Sequence, residues 1–271
     1  MSGPDTALGS QTLTESSAER PRIAVAIPCY NEAAAVATVI AQWRAALPDA
    51  EIVIFDNNST DGTGAIARAL GVRVVEVEAQ GKGHAVRAIF AALADREAVV
   101  MVDGDGTYPA EDVGLLLAPI LDGTADMTVG ARRPIAEAGA MTPLRGLGNV
   151  LIRSAFRLLI GPGPGDLLSG YRVLGRRFRK GVDLRSSGFE IETELASEAV
   201  ARGLRVVEFP VPYRPRIAGT VSKLNAFRAG GRLMAMIAVQ GVRLAPWRVL
   251  AIVVSIFALG GLTAWAIGSR S

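Results

Sequence analysis

Short apolar runs alternate with amphipathic stretches along the first half of the chain. The runs are rich in Val and Ile and end at Gly, Pro or polar residues, which is typical of buried strands; they cover 23–27, 52–55, 72–77, 98–102 and 126–130. In the stretches between these runs, apolar residues recur with helical spacing, which predicts helices over 32–47, 64–70, 82–93 and 110–121. Strands and helices in alternation predict an α/β fold with a mostly parallel, doubly wound sheet.

The second half is less regular and more basic. Its apolar spacing predicts helices over 144–160, 189–202 and 222–244, and a strand over 204–211. The Gly-Pro-Gly-Pro-Gly run at 161–165 separates the first two helices, because neither residue type continues a helix.

The end of the chain resembles a membrane span. Residues 249–267 carry no charge, and as a helix they would be about 28 Å long, close to the hydrocarbon thickness of a bilayer. Trp247 and Trp265 lie at the two ends of this segment, and Arg248 and Arg270 flank it, as interface anchors do. We predict one transmembrane helix over 247–268; the alternative is a buried helix of the core.

The flanks of this segment complete the domain prediction. Residues 222–246 predict a basic amphipathic juxtamembrane helix that lies on the headgroups. Since Lys and Arg are dense before the span, the domain over 21–221 is expected on the cytoplasmic side of the cell membrane, anchored by a single pass. Residues 1–20 are polar and predict a disordered tail without the apolar region of a signal peptide.

Charge is distributed unevenly. The 271 residues carry a net charge of +3. Residues 132–180 nevertheless contain ten Lys and Arg but only two acidic residues, and residues 202–248 contain nine Lys and Arg but only one acidic residue. Such a basic half indicates an anionic partner, such as phosphates or anionic lipid. A nucleic-acid partner is disfavoured because the basic stretches precede the predicted membrane span. The mean hydropathy of +0.32 agrees with membrane attachment.

Polar clusters follow three predicted strands, at 28–32, 56–63 and 103–105. Because the carboxyl ends of parallel strands share one edge of a sheet, these clusters are expected to meet in a ligand crevice. Asp103 and Asp105, two apart, offer the hard oxygen ligands that Mg²⁺ or Mn²⁺ prefers. The simpler alternative is an acidic turn that caps the next helix. An EF-hand is excluded, since Tyr108 stands where its loop needs Gly.

These clusters, in this order, resemble the family 2 glycosyltransferases of the GT-A fold, and within them the polyprenyl- and dolichyl-phosphate hexosyl- or mannosyltransferases. The matching segments are Ile-Pro-Cys-Tyr-Asn-Glu at 27–32, Phe-Asp-Asn-Asn-Ser-Thr-Asp-Gly-Thr at 55–63, Asp-Gly-Asp at 103–105, Val-Gly-Ala-Arg at 129–132, Asp-Leu-Leu-Ser-Gly-Tyr-Arg at 166–172, Val-Pro-Tyr-Arg at 211–214 and Ser-Lys-Leu at 222–224. Two departures are Asn57, where many members carry Asp, and Thr107, where some carry a metal-binding Gln.

The resemblance implies a Rossmann-like GT-A domain and a transfer reaction. A hexose would pass, with inversion, from a UDP- or GDP-sugar to a polyprenyl phosphate. The residues implied in nucleotide-sugar binding are Pro28, Tyr30, Glu32, Phe55, Asp56, Lys82, Asp103 and Gly104. Asp103 and Asp105 would hold the metal, and those implied in binding donor or acceptor phosphate are Arg132, Arg145, Arg172 and Lys223.

Asp105, Arg132 and Asp166 are the candidate catalytic residues. Because a lipid phosphate is already anionic near neutral pH, a strong base is not required; Asp166 is the candidate if one acts, and otherwise it orders its loop. The open alternatives are a family 2 transferase with another lipid or polysaccharide acceptor, and a non-catalytic module that binds nucleotide or lipid. The sequence leaves open whether the chain forms a homo-oligomer.

Three smaller interpretations complete the analysis. Lys82 begins a predicted helix and is assigned to the donor pocket by the resemblance; the alternative is a solvated lysine. The acids Glu190, Glu192 and Glu194 begin another helix, where complementing its dipole is the default role. The charge run at 176–180 is interpreted as a solvated or lipid-facing surface.

Overall fold

The structure is a computed structural model and describes residues 22–134, 143–219 and 226–255. Three predictions lie outside these ranges: the tail over 1–20, the phosphate-binding role of Lys223, and the part of the predicted span beyond Ser255. Arg145 belongs to a described helix, but its side chain lies outside what the structure describes.

Within the described ranges seven strands form one sheet in the order β3-β2-β1-β4-β6-β5-β7. The strands are β1 Ile23–Cys29, β2 Glu51–Asp56, β3 Arg73–Glu76, β4 Ala98–Met101, β5 Met127–Pro134, β6 Arg172–Gly175 and β7 Val206–Tyr213. The helices are α1 Ala33–Ala46, α2 Thr63–Ala69, α3 Lys82–Ala92, α4 Val113–Leu121, α5 Pro143–Leu159, α6 Arg176–Gly181, α7 Ile191–Ala201, α8 Ala226–Leu244 and α9 Pro246–Ser255.

The sheet confirms the mostly parallel α/β prediction. Strand β1 pairs in parallel with β2 and β4, and β5 pairs in parallel with β7. Strand β6 runs antiparallel to both of its neighbours, β4 and β5. It was not predicted, because only Val173 and Leu174 give this four-residue strand an apolar signal.

Apolar side chains cover both faces of the sheet, because alternate strand residues point in opposite directions. On one face Val25, Ile27 and Val100 pack with residues of α1 and α4. On the other, Ala26 and Met101 pack with residues of α3 and α7. A smaller cluster joins α5, α7 and α8. This three-layer packing fixes the strand ends that carry the polar clusters.

The carboxyl-terminal helices do not form a straight span within the described residues. No single helix there is both long and apolar enough to cross a bilayer. The stretch Gly230–Leu244 of α8 and the following α9 meet those criteria only as a pair, with a 105° bend between them. The transmembrane helix predicted over 247–268 therefore stays a prediction.

Candidate functional site

The carboxyl ends of β1, β2 and β4 meet beside a crevice with a cavity of about 290 Å³. The predicted site residues that line it are Pro28, Tyr30, Glu32, Lys82, Asp103, Gly104 and Asp105. Phe189 and Arg216, which no sequence motif indicated, complete its wall. The structure thus brings most of the predicted donor-binding residues together.

Hydrogen bonds join the first two polar clusters. The backbone N–H of Asn31, which has a φ of 53°, donates to Ser59 Oγ at 3.0 Å. The N–H of Glu32 donates to Thr63 Oγ1, and that of Ala33 donates to Asp61 Oδ2, both at 2.9 Å. These bonds hold the loop after β1 against the loop after β2, which shapes one side of the crevice.

Asn57 fixes the back of the crevice. Its side-chain amide donates to the carbonyl oxygens of Val77 and Ala79, at 3.2 and 2.7 Å, and its Oδ1 accepts the N–H of Gly81 at 2.6 Å. An ionised aspartate accepts hydrogen bonds but donates none, so it could not make the two bonds to these carbonyl oxygens. The departure from the family pattern at this position therefore serves to hold the loop that leads to Lys82.

The Asp-Gly-Asp turn follows β4 and is closely packed. Asp105 is buried, and its Oδ1 accepts hydrogen bonds from the backbone N–H and the Oγ1 of Thr107, at 3.1 and 2.7 Å. A Cβ on Gly104 would lie 2.6 Å from Cys29 Sγ. Position 104 therefore needs glycine for the turn to sit against β1, and Thr107 orients Asp105.

Each carboxylate of the turn faces a basic side chain. Lys82 Nζ lies 2.5 Å from Asp103 Oδ1, and Arg216 Nη1 lies 2.8 Å from Asp105 Oδ2. Lys82 also contacts Glu192. Burial opposes the charge of Lys82, but the two carboxylates dominate and raise its pKa above the ordinary value. Lys82 is therefore a fixed cation in the crevice, not a solvated lysine.

Glu192 is a site neighbour that the sequence interpretation missed. It lies in the first turn of α7, as predicted, but it is buried, and burial raises its pKa above the ordinary value although Lys82 opposes the shift. A role limited to the helix dipole does not explain a buried carboxylate in contact with a lysine. No feature of a helical charge pattern distinguishes such a buried acid from an exposed one.

Glycines set the position of Lys82. Gly81 has a φ of 134°, which disfavours other residues, and a Cβ on it would lie 2.2 Å from the Ser187 carbonyl oxygen. A Cβ on Gly83 would lie 2.0 Å from the Ser186 carbonyl oxygen. The Gly-Lys-Gly sequence therefore lets α3 begin directly against the segment that precedes α7.

Arg132 and Asp166 form a bidentate ion pair near the crevice. The distances are 2.7 Å from Nε to Oδ2 and 2.8 Å from Nη2 to Oδ1. Burial opposes the ionisation of Asp166, but the bonds from Arg132 dominate and lower its pKa below the ordinary value. A carboxylate held in this way is a weak proton acceptor, so the geometry favours Asp166 as the group that orients Arg132.

The loop that carries Asp166 also reaches the Asp-Gly-Asp turn. The N–H of Gly170 donates to Tyr108 Oη at 3.1 Å, and a Cβ on Gly170 would lie 2.3 Å from Asp103 Oδ2. Burial, with a contribution from Asp103, raises the pKa of Tyr108, so its hydroxyl stays protonated near neutral pH. The 166–172 segment therefore packs directly against the Asp-Gly-Asp turn.

Two predicted binding residues lie elsewhere. Arg172 is fully buried and donates to the carbonyl oxygens of Ser169 and Leu167, at 3.0 and 2.9 Å. Burial lowers its pKa. Instead of reaching a phosphate, it holds the 166–172 loop from below. Phe55 is fully buried in the core, because its side chain points to the face of the sheet covered by α3.

Asp56 stands at the carboxyl end of β2, where its Oδ1 accepts the N–H of Ser59 at 3.1 Å. Its Oδ2 lies so close to α2 that a Cβ on Gly64 would come within 2.4 Å of it. Asp56 thus supports the loop after β2, beside the crevice residues.

The residues fit a divalent cation. Asp103 and Asp105 are oxygen ligands two positions apart, a donor set that suits a divalent cation, and in this structure each carboxylate is paired with a basic side chain. Among the residues described, no group of three or more His, Cys, Asp or Glu is placed to hold a metal. The chain would supply two ligands, and water or substrate phosphates the others.

Comparisons with known proteins agree with this geometry. The family model described as glycosyl transferase family 2 matches residues 24–176. Glycosyltransferase AglJ of Haloferax volcanii is 39% identical over 209 residues, which cover 77% of this chain and 68% of that protein. The dolichyl-phosphate hexose transferase of the same organism is 34% identical over 212 residues, 78% of this chain and 90% of the relative.

A relative and a solved structure extend these findings. The polyprenol monophosphomannose synthase of Mycolicibacterium smegmatis is 31% identical over 219 residues, 75% of this chain and 81% of that protein. Glucosyl-3-phosphoglycerate synthase from Mycobacterium tuberculosis, in complex with Mn²⁺ and UDP-glucose, superposes with a TM-score of 0.62 at 21% identity over 84% of this chain and 80% of that one. The second match shows the fold alone. By its sequence motifs, the matching family model and these relatives, the chain belongs to glycosyl transferase family 2.

Proposed function

We propose that this protein is an inverting glycosyltransferase that moves a hexose from a nucleotide sugar to a polyprenyl phosphate at the cytoplasmic face of the membrane. The observation that carries the proposal is the crevice where Asp103, Asp105 and Lys82 meet Tyr30 and Glu32 at the carboxyl ends of parallel strands. The dolichyl-phosphate and polyprenol names of two relatives support the acceptor class.

The crevice has the groups that a nucleoside diphosphate sugar requires. Pro28, Tyr30 and Glu32 would border the nucleoside, and Lys82 would contact the diphosphate. Asp103 and Asp105 would hold Mg²⁺ or Mn²⁺, and a solved structure of the same fold contains Mn²⁺ with UDP-glucose, which supports a divalent cation in general. When bound, the cation supplies stabilisation of negative charge on the leaving nucleoside diphosphate.

The acceptor side of the reaction centres on Arg132. Its guanidinium is oriented by Asp166 and lies 5.5 Å from the centre of the Tyr213 ring. A fixed guanidinium suits a phosphate monoester, because its planar donors match phosphate oxygens. The phosphate oxygen is already anionic near neutral pH, so it attacks the sugar carbon in a single displacement without a strong base.

The carboxyl-terminal helices present a surface that suits the lipid. Apolar side chains of α8 and α9 are exposed to solvent; they are Met234, Val239, Val242, Trp247, Leu250, Val253 and Val254, and they form what we call the membrane-facing surface. Arg248 lies 4.8 Å from the Trp247 ring and adds positive charge. We infer that this surface enters the bilayer interface, where an anchored acceptor would present its headgroup.

A transfer assay on membranes that contain the full chain tests the proposal. Radiolabelled UDP-glucose, UDP-N-acetylglucosamine, UDP-galactose and GDP-mannose are offered in turn with undecaprenyl or dolichyl phosphate and Mn²⁺ or Mg²⁺. Lipid-extractable label from one donor is expected, with loss of label on EDTA treatment and in Asp105→Asn.

The other outcomes of this assay separate the alternatives. Label in a product other than polyprenyl phosphate would show a family 2 transferase with a different acceptor. Nucleotide binding without transfer to any acceptor would favour a non-catalytic module. The membrane-facing surface and the polyprenol-linked relatives favour the first function.

A further inference from the structure

Both carboxylates of the Asp-Gly-Asp turn are paired with basic side chains from distant parts of the chain. Lys82, at the start of α3, pairs with Asp103, and Arg216, on the segment after β7, pairs with Asp105. The remaining oxygen of Asp105 is taken by Thr107. A divalent cation that binds the turn alone would therefore meet two positive charges already in place.

The two basic side chains differ in how firmly the surrounding residues hold them. The Lys82 side chain is 9% exposed and is held from a second side by Glu192. The Arg216 side chain is 35% exposed and lines the crevice, and Asp105 is its one ion-pair partner given by the described residues. Rotation of the Arg216 side chain is therefore the less costly way to release a carboxylate.

The backbone that carries Arg216 is fixed on both sides. The N–H of Arg214 donates to the Thr107 carbonyl oxygen at 2.9 Å, and that of Ile217 donates to the Asp105 carbonyl oxygen at 3.3 Å. The Ile217 side chain packs so closely on Gly106 that a Cβ there would lie 2.5 Å from it. Release of Asp105 thus requires a side-chain movement, without opening of the segment.

We infer that Arg216 is an internal counter-ion that occupies Asp105 until a nucleoside diphosphate offers its guanidinium new phosphate partners. The inference rests on the proposed function. Metal and nucleotide then bind cooperatively, so each raises the affinity for the other. The phosphates replace Asp105 as the partner of Arg216, and the freed carboxylate can then bind the metal. Metal alone binds weakly, since it must displace Arg216 or bind beside it.

Mn²⁺ binding to the full chain in detergent tests the inference, with the free-ion signal in electron paramagnetic resonance as the readout. The variants are Arg216→Gln, Arg216→Lys and, as matched control, Arg214→Gln, whose guanidinium pairs with the exposed Glu111. Without nucleotide, Arg216→Gln is expected to bind Mn²⁺ about fivefold more tightly than the wild type, while Arg216→Lys and Arg214→Gln stay within about twofold of it.

Addition of UDP or GDP completes the test. Either nucleotide should raise the Mn²⁺ affinity of the wild type, and this gain should shrink in Arg216→Gln. Equal or weaker Mn²⁺ binding by Arg216→Gln, in protein whose thermal unfolding is unchanged, would overturn the inference. If neither nucleotide changes the Mn²⁺ affinity of the wild type, the proposed function fails together with the inference that rests on it, whereas a nucleotide-induced gain that is equally large in wild type and Arg216→Gln overturns the inference alone.

Discussion

Gly104, in the turn after β4, lies so close to Cys29 at the end of β1 that no larger residue fits at position 104. In Gly104→Ala the new Cβ would meet Cys29 Sγ at 2.6 Å, so the turn or β1 must shift. We expect the free energy of unfolding to fall by about 1–3 kcal/mol, as measured by chemical denaturation. Gly114→Ala is the matched control, since a Cβ there meets nothing within 4 Å in α4. It should be neutral or stabilising by up to about 1 kcal/mol. Equal stabilities of the two variants would contradict the close packing.

The Arg132–Asp166 pair gives the stability a dependence on pH. The folded pKa of Asp166 lies below its ordinary value of 3.8, because bonds from Arg132 outweigh burial. The stabilisation is therefore fully present above about pH 4 and is lost as the pH falls through the folded pKa. We expect Asp166→Asn to lower the free energy of unfolding by on the order of 1–2 kcal/mol at pH 7, and by less at pH 3. A difference between wild type and variant that is the same at both pH values would argue against an ionised Asp166.

For single residues, the sequence indicated most members of the crevice but not which of them are buried. Asp103, Asp105 and Lys82 were found because they follow strands in recognisable motifs. Arg172 stands in an equally recognisable motif, yet it donates to backbone carbonyl groups below the loop. Residue type shows that a side chain carries donors, whereas only the packed chain shows which acceptors they meet.

Among the elements, α7 and α8 make the contact that joins the carboxyl-terminal helices to the crevice. Gln240 of α8 is buried, and its Nε2 donates to Glu194 Oε1 at 2.7 Å. The same carboxylate accepts the N–H groups of Arg185 and Ser186. Ser186 and Ser187 in turn contact Gly83 and Gly81 beside Lys82. Helix α8 is therefore coupled by direct contacts to the segment that positions the crevice lysine.

Gln240→Leu removes the side-chain donor to a buried carboxylate. We expect the free energy of unfolding to fall by about 1–3 kcal/mol, because the charge of Glu194 loses one of its hydrogen bonds. Hydrogen exchange should accelerate in α8 and in residues 185–188 together. Arg232→Gln, a change at an exposed position of the same helix, is the control. Faster exchange confined to α8 would show that the contact does not couple the two segments.

Two elements, β6 and α6, were not predicted from the sequence, and the reason is the same for both. Strand β6 and helix α6 follow each other directly and are short, with a basic run in α6. The run was interpreted as a surface, but Phe178 and Arg179 are buried, and burial lowers the pKa of Arg179 to about 10. Arg179 donates to the carbonyl oxygens of Leu174 and Arg96. Contacts with residues far away in the sequence stabilise β6 and α6. A pattern of neighbouring residues carries no information about such contacts, so it cannot predict these two elements.

For the molecule as a whole, attachment to a bilayer is expected to depend on the membrane-facing surface. Trp247 and Leu250 are 65% and 64% exposed. Replacing both with Ser should lower binding to anionic vesicles by about tenfold or more in flotation assays, because two large apolar side chains no longer leave water. Leu115→Ser, at an exposed position of α4, is the control. Undiminished binding by the double variant would assign attachment to another part of the chain.

The sheet order has a consequence for contacts between copies of the protein. In the part of the chain that the structure describes, the two outermost strands are β3, with four residues, and β7, which contains Pro210 and Pro212. Since β7 pairs with β5 over its full length, these prolines are expected to point their nitrogens outward and remove two backbone donors from the free edge. A short edge and a proline-blocked edge both resist addition of a further strand. Self-association by continuation of the sheet is thereby disfavoured, and an oligomer of this protein should be built from helix contacts.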